Sequence, residues 1–308
     1  MPLRHAGYIE LPPPATPGGF DHAAVHRRTR RVYVAHTAND AIDIIDGSTH
    51  RYVGSIPDLA GVAGAVVSDE HDLVFTSNRG ENTVGIFSPL HEAGVVKVAV
   101  GIRPNGLAYD SRRRRLLAAN VGDPTVADSF TVSIVDLERK AMIAEIPVAG
   151  RTRWTLFDPG ADVFHVNISD PPQIAVVDAG DPVAIRRAVP VPSAGPHGLD
   201  LDVTTRRLFC ACDGKALVEV HADSGEVMSQ GEIGGVPDVI FFNAALKRLY
   251  VAIGDPGVIE VFDTETMRRR ETVWTEKGAH TLAFDASSNT VYAFLPNTHR
   301  AAVYVDRD

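Results

Sequence analysis

Residues 31–46 read RVYVAHTANDAIDIID. An apolar run, Val32 to Ala35, meets a polar turn and is followed by Ala41 to Asp46, where apolar and polar residues alternate. Side chains on a strand repeat with period two, and neither run is long enough for an amphipathic helix, so the stretch predicts a β-hairpin. The same grammar recurs along the chain. Counterparts of the first run begin at Leu73, Leu116, Val163, Leu208, Leu249 and Val291, and TVSIVD (131–136), QIAVVD (173–178) and VIEVFD (258–263) repeat the second. Ahead of each hairpin lies another apolar run, joined to it by a polar turn such as HRRTRR (26–31), SRRRR (111–115) or TTRR (204–207), and a looser segment such as AEIPV (144–148) closes the unit. Each unit opens on one variable residue: His22, Ala63, Asn105, Arg153, His197, Asp238 and His280, at intervals of 41 to 48 residues.

Four short strands per unit of this length indicate a β-propeller, and seven openers indicate seven blades. The last unit, from Ala279 to Asp308, has room for only three strands. The spare strand-like segment AGYIEL (6–11) is expected to complete that blade, closing the seam and leaving one domain over residues 1–308. A chain of 308 residues exceeds the usual size of a single core, but a ring grows by adding units. Its composition, 44% apolar and only 7% aromatic with 26 Gly and 20 Pro, suits a turn-rich all-β protein.

The segments RVYVAHTANDAIDIID (31–46), LVFTSNRGENTVGIF (73–87) and TVSIVDLERK (131–140) resemble the YVTN/YncE-like seven-bladed propellers. The resemblance covers nearly the whole chain and implies the fold. That superfamily is similar both to binding proteins and to enzymes such as streptogramin lyases and gluconolactonase-type lactonases. Since no lyase or lactonase motif can be placed here residue by residue, the resemblance implies no particular reaction.

The innermost strand of each propeller blade lines the channel, so the openers are expected to ring one mouth. The ends of the second strands (His36, Asn78, Asn120, Asn167, Cys212, Ile253, Leu295) should form a circle outside them. His197, Asp238, His280 and His22 lie on four consecutive blades. Three imidazoles and a carboxylate suit a divalent metal such as Zn, Mn, Fe, Ni or Cu, with Asp238 as fourth ligand or general base. Arg153, across the channel, is expected to hold a substrate carboxylate or a developing oxyanion, and Asn105 to bind substrate beside it. His36 is a candidate partner of His22 or general base. The loop from Val121 to Phe130 is a candidate lid. Asn78, Asn120 and Asn167 are expected to bond local backbone, and Cys212 to be a packing residue.

These expectations amount to a metal-dependent lyase or hydrolase acting on a small, polar, carboxylate-bearing molecule. The rivals are a non-catalytic propeller binding a ligand or peptide in a polar funnel and a scaffold for protein partners, for which the basic turns offer a face. A net charge of -9 with scattered basic residues argues against nucleic acid. The sequence has no apolar run long enough to span a membrane and no apolar segment of a secretory signal in MPLRHAGYIELPPP (1–14). Only two cysteines, Cys210 and Cys212, stand too close for an easy disulfide, which fits a cytoplasmic protein.

Overall fold

The computed structural model describes residues 3–307, those at 91–93 without their side chains. It contains seven four-stranded antiparallel sheets, each a blade. The inner strands of blades 1 to 7 are Phe20–His26, Val62–Ser68, Pro104–Asp110, Thr152–Asp158, Pro196–Asp202, Pro237–Asn243 and Thr281–Asp285. In blades 1 to 6 the other three strands follow in chain order outward from the channel. Among the described residues there is no α-helix, only a 3-10 turn at Thr37–Asn39, and no helix long and apolar enough to cross a membrane.

Blade 7 is completed from the other end of the chain. Leu3–Glu10 pairs antiparallel with Arg300–Asp306, from Leu3 opposite Asp306 to Glu10 opposite Arg300. This closure confirms the reading of the spare N-terminal segment, with the strand starting three residues earlier than the sequence suggested. It removes the open edge that Arg300–Asp306 would otherwise present.

The core consists of seven wedges, one between each pair of neighbouring blades. Tyr33 and Ile42 of blade 1 meet Val62 and Val74 of blade 2, for example, and Phe209 and Leu217 of blade 5 meet Ile240 and Leu249 of blade 6. A second strand such as Arg31–His36 is covered on both faces by adjacent blades. That double burial explains the nearly continuous apolar run RVYVA, where a sheet wet on one face would alternate.

A repeated device fixes the inner strands to one another. Gly64, Gly106 and Gly198 each follow an opener, and a Cβ at any of them would collide with the backbone carbonyl of the next blade's opener, Asn105, Arg153 or Asp238 respectively. Only glycine allows this approach. Gly198→Ala is therefore expected to lower stability by about 1 to 3 kcal/mol and to displace Asp238, measurable by denaturation and by loss of the pH dependence described below.

Candidate functional site

In blades 1 to 6 the opener sits inside an irregularity of pairing between the inner and second strands. The register breaks between Phe20 and Ala23, Val62 and Gly64, Pro104 and Leu107, Thr152 and Thr155, Pro196 and Gly198, and Pro237 and Ile240. Such bulges release one side chain from the pleat and re-aim it. His280 stands immediately before the inner strand of blade 7. Neighbouring blades hold the freed backbone. Ser77 Oγ donates to the Asn105 carbonyl at 2.7 Å, and Asn167 Nδ2 donates to the His197 carbonyl at 2.9 Å.

The centre of the site is Asp238. Its Oδ2 lies 2.6 Å from His280 Nδ1 and its Oδ1 3.2 Å from His197 Nε2. His197 Nδ1 in turn lies 2.7 Å from Asp213 Oδ1, and Arg153 Nη2 donates to Asp213 Oδ2 at 3.2 Å. Two carboxylates thus hold both nitrogens of one imidazole. Burial alone would lower the pKa of His197, but the Asp238 charge and the hydrogen bonds to Asp213 and Asp238 raise it to about 9. Burial likewise works against the charged forms of Asp238 and His280. The His197 charge and the imidazole hydrogen bonds nevertheless hold Asp238 well below the usual carboxylate range, and the bond to Asp238 raises His280 above its ordinary 6.5. His280 Nε2 has no hydrogen-bond partner among the described residues, and its side chain is 38% exposed.

A raised folded-state pKa stabilises the protein while the imidazole is charged. The His197 contribution is complete below pH 6.5 and disappears as pH rises through about 9. Unfolding free energy should therefore fall by on the order of 3 kcal/mol across that window, and His197→Gln should flatten that part of the profile. Denaturant titrations at a series of pH values check this.

His22 takes a different position from the other two openers of its kind. Its Nε2 is 3.3 Å from Asp21 Oδ1, and its ring packs against Trp154 of blade 4 with centroids 4.3 Å apart. Burial lowers its pKa despite nearby carboxylates, so it is neutral at pH 7. The Trp154 indole, which also contacts Phe241 edge-on, floors the polar mouth. Beneath it lies a cleft of about 370 Å3 lined by aromatic and aliphatic side chains, among them Trp154, Phe241, Phe284 and Val66, with the ion-paired Arg27 and Asp69 at its edge. The channel has a charged mouth and an aromatic floor, and so differs from a uniformly polar funnel.

Several sequence expectations are corrected. Of the four residues grouped as metal ligands, Asp238 bridges the imidazoles of His197 and His280, and His22 faces Asp21. Among the described residues no group of three or more His, Cys, Asp or Glu side chains is disposed to hold a metal. A divalent cation on His197 Nε2 would also stand beside Arg153 Nη1, 3.2 Å from that nitrogen. Arg153 lies next to His197 on the adjoining blade, where the sequence reading had set it across the channel. His36 is fully buried inside blade 1, with Nδ1 2.7 Å from Asp43 Oδ2 and Ser55 Oγ donating to Asp43 Oδ1 at 2.5 Å. It ties three strands together and is no general base for the mouth. The Val121–Phe130 loop is braced within its own blade, through Ser129 Oγ on the Asp123 carbonyl and Gly122 N on the Ile102 carbonyl. The basic turns form no bare cationic face: Arg27 pairs with Asp69, Arg28 with Asp72, Arg113 with Asp110 and Asp162, and Arg206 with Asp158 and Asp223.

Other expectations hold. Cys212 is buried, and Asn105 lines the mouth, where it accepts a hydrogen bond from Arg79 Nη2 at 2.5 Å. The expectation that Asn78, Asn120 and Asn167 bond local backbone does not hold: Asn167 bonds backbone of the next blade, and Asn78 and Asn120 bond side chains of their own blades. Asp213, Asp21, Arg79 and Trp154 were missed. Each is the immediate neighbour of a residue that the repeat singled out, so widening each circle by one residue finds them.

No family model matches the chain, and no curated protein matches it in sequence. Solved structures do. The chain is similar to a chain of Kuenenia stuttgartiensis hydrazine synthase at 11% identity, with a TM-score of 0.83 over 96% of this chain and 97% of that one. It is equally similar in shape to a chain of a mitotic checkpoint complex, at 9% identity and a TM-score of 0.83 over 99% of this chain and 92% of that one. These likenesses show a seven-bladed β-propeller. At such identities the fold accommodates an enzyme and an assembly component alike, so function has to be argued from the mouth of the channel.

Proposed function

We propose that this propeller is an acid–base enzyme, a lyase or hydrolase, acting on a small carboxylate-bearing molecule at the channel mouth. The observation that carries the reading is His280, bound through Nδ1 to Asp238 with Nε2 unpartnered and open to the mouth. A carboxylate behind an imidazole fixes its tautomer and stabilises the imidazolium once a proton is taken. His197, already charged, keeps Asp238 ionised for that purpose. Arg153 Nη2 is paired with Asp213, while Nη1 lies 3.2 Å from Nε2 of the charged His197, a donor that cannot accept from it, so Nη1 lacks an acceptor among the described residues. This supports a role in holding the substrate carboxylate together with Asn105. His280 Nε2 would then remove a proton next to that carboxylate or from an attacking water, and return it to the leaving group. The likeness of the repeats to YVTN/YncE-like propellers, a superfamily similar to lyases and lactonases, fits this class.

The test is a screen of hydroxy acids, unsaturated acids and lactones by proton NMR, with metal analysis of the same untagged preparation. Turnover should fall about 100-fold or more in His280→Gln, while Arg153→Gln chiefly raises KM. Calorimetric binding of carboxylates without any turnover would convert the reading to a binding module. Stoichiometric metal lost in His280→Gln would restore metal-assisted chemistry, and absence of carboxylate binding would remove the reading altogether.

A further inference from the structure

The charge around the mouth is divided. Blades 5, 6, 7 and 1 bring Asp213, Asp238 and Asp21 with the three imidazoles, whereas blades 2, 3 and 4 bring four arginines, of which Arg103 has the Asp123 carboxylate of its own blade nearby. Arg79 follows the end of the second strand of blade 2, Arg103 precedes the inner strand of blade 3, and Arg151 and Arg153 stand at the start of the inner strand of blade 4. All four positions are on the face of the openers. In a chain whose net charge is -9, four guanidiniums and the His197 imidazolium here face Asp21, Asp213 and Asp238, with Asp123 beside Arg103.

Pairing within the fold does not use up this charge. Arg79 Nη2 donates to Asp21 Oδ2 at 2.9 Å and to Asn105 Oδ1, but its Nε is buried without a hydrogen-bond partner among the described residues. Neither Arg103 nor Arg151 has an ion pair among the described residues. The Arg151 guanidinium is destabilised by partial burial and then by Arg153, Arg79 and Arg103, with Asp213 a weaker compensating charge. Four like charges in one arc are costly for an empty site, and an anion bound there offsets that cost.

We infer that the molecule held at the mouth carries two anionic groups, one received by Arg153 beside His280 and the other by Arg79 and Arg151 on the neighbouring blades. The inference rests on the carboxylate reading of the mouth and narrows its substrate class to dianions, whether dicarboxylates or phosphorylated carboxylates. Arg103 lends the second group charge from the rim, and Asn105 sits between the two.

Calorimetry at low ionic strength tests this with acetate, malonate, succinate, glutarate and phosphoglycolate as probes. At least one dianion should bind about tenfold or more tightly than acetate, with one spacing preferred within the dicarboxylate series. The better of succinate and phosphoglycolate identifies the second group. Arg151→Gln, which removes no side-chain hydrogen bond or ion pair among the described residues, should abolish the dianion advantage, with acetate still bound at Arg153. Arg79→Gln should also remove the dianion advantage, with some loss of acetate binding because Arg79 orients Asn105, and Arg153→Gln should weaken every probe. Equal binding of acetate and all dianions, or a dianion advantage that survives Arg151→Gln and Arg79→Gln, would overturn the inference and leave the carboxylate reading standing. Binding of none of the probes would remove both.

Discussion

Asp238→Asn is expected to cost about 3 to 5 kcal/mol of stability at pH 7 and to reduce turnover by at least about 100-fold. The size of the first effect follows from what Asp238 touches. Its carboxylate is 16% exposed and holds one nitrogen each of His197 and His280, so an amide there leaves a charged imidazole short of its main counter-charge. His197 keeps Asp213, so the fold should survive with a lower His197 pKa. Denaturation of Asp238→Asn at pH 6 and pH 9 should show a smaller difference than in wild type, because the variant has lost most of the proton-linked stabilisation. The loss of turnover has a separate origin: His280 keeps its place in the chain but loses the group that fixes its ring and stabilises its charged form. A variant that matched wild type in both stability and pH profile would show that Asp238 is only a polar lining residue.

Removal of residues 1–12 is expected to have an effect of similar or greater size. Leu3, Ile9 and Leu11 are buried against blades 6, 7 and 1, and burying each such side chain contributes about 1.5 to 3 kcal/mol. Deletion also strips the backbone pairing from Arg300–Asp306 and exposes its edge. A loss of about 5 kcal/mol or more approaches the whole stability of many proteins. The truncated chain should therefore aggregate or melt far below wild type in calorimetric scans. A synthetic peptide of residues 1–12 added in trans should restore part of the loss by adding its strand to blade 7. Wild-type melting in the truncated protein would mean that the seam contributes nothing.

The fold was legible because a propeller writes each blade separately into the chain. Runs such as RVYVA and AIDIID carry the strand pattern locally, and the 41 to 48 residue period carries the ring. The N-terminal strand could be assigned by counting, since the last unit was one strand short. The site was legible only to the level of which residues share the mouth. His197, Asp238, Arg153 and Asn105 are there because the opener position marks the bulge that turns a side chain into the channel, and His280 because it immediately precedes its inner strand. Partnership within the mouth depends on side-chain reach, which the period does not encode. One nitrogen of His197 is taken by Asp213, one residue beyond the strand end at Cys212, and that contact raises the basicity of the ring. His36 shows the opposite error: its strand-end position suggested the mouth, but Asp43 on the adjacent strand draws its ring inside the blade.

The central claim is that the mouth is organised by one ionised carboxylate between two imidazoles of unequal basicity. Nitrogen-15 NMR of the histidine rings as a function of pH measures this directly. The account predicts that His197 titrates near 9, His280 above its ordinary 6.5 and His22 below it. Three rings titrating together near 6.5, or rings that titrate only after a bound metal is stripped, would contradict it.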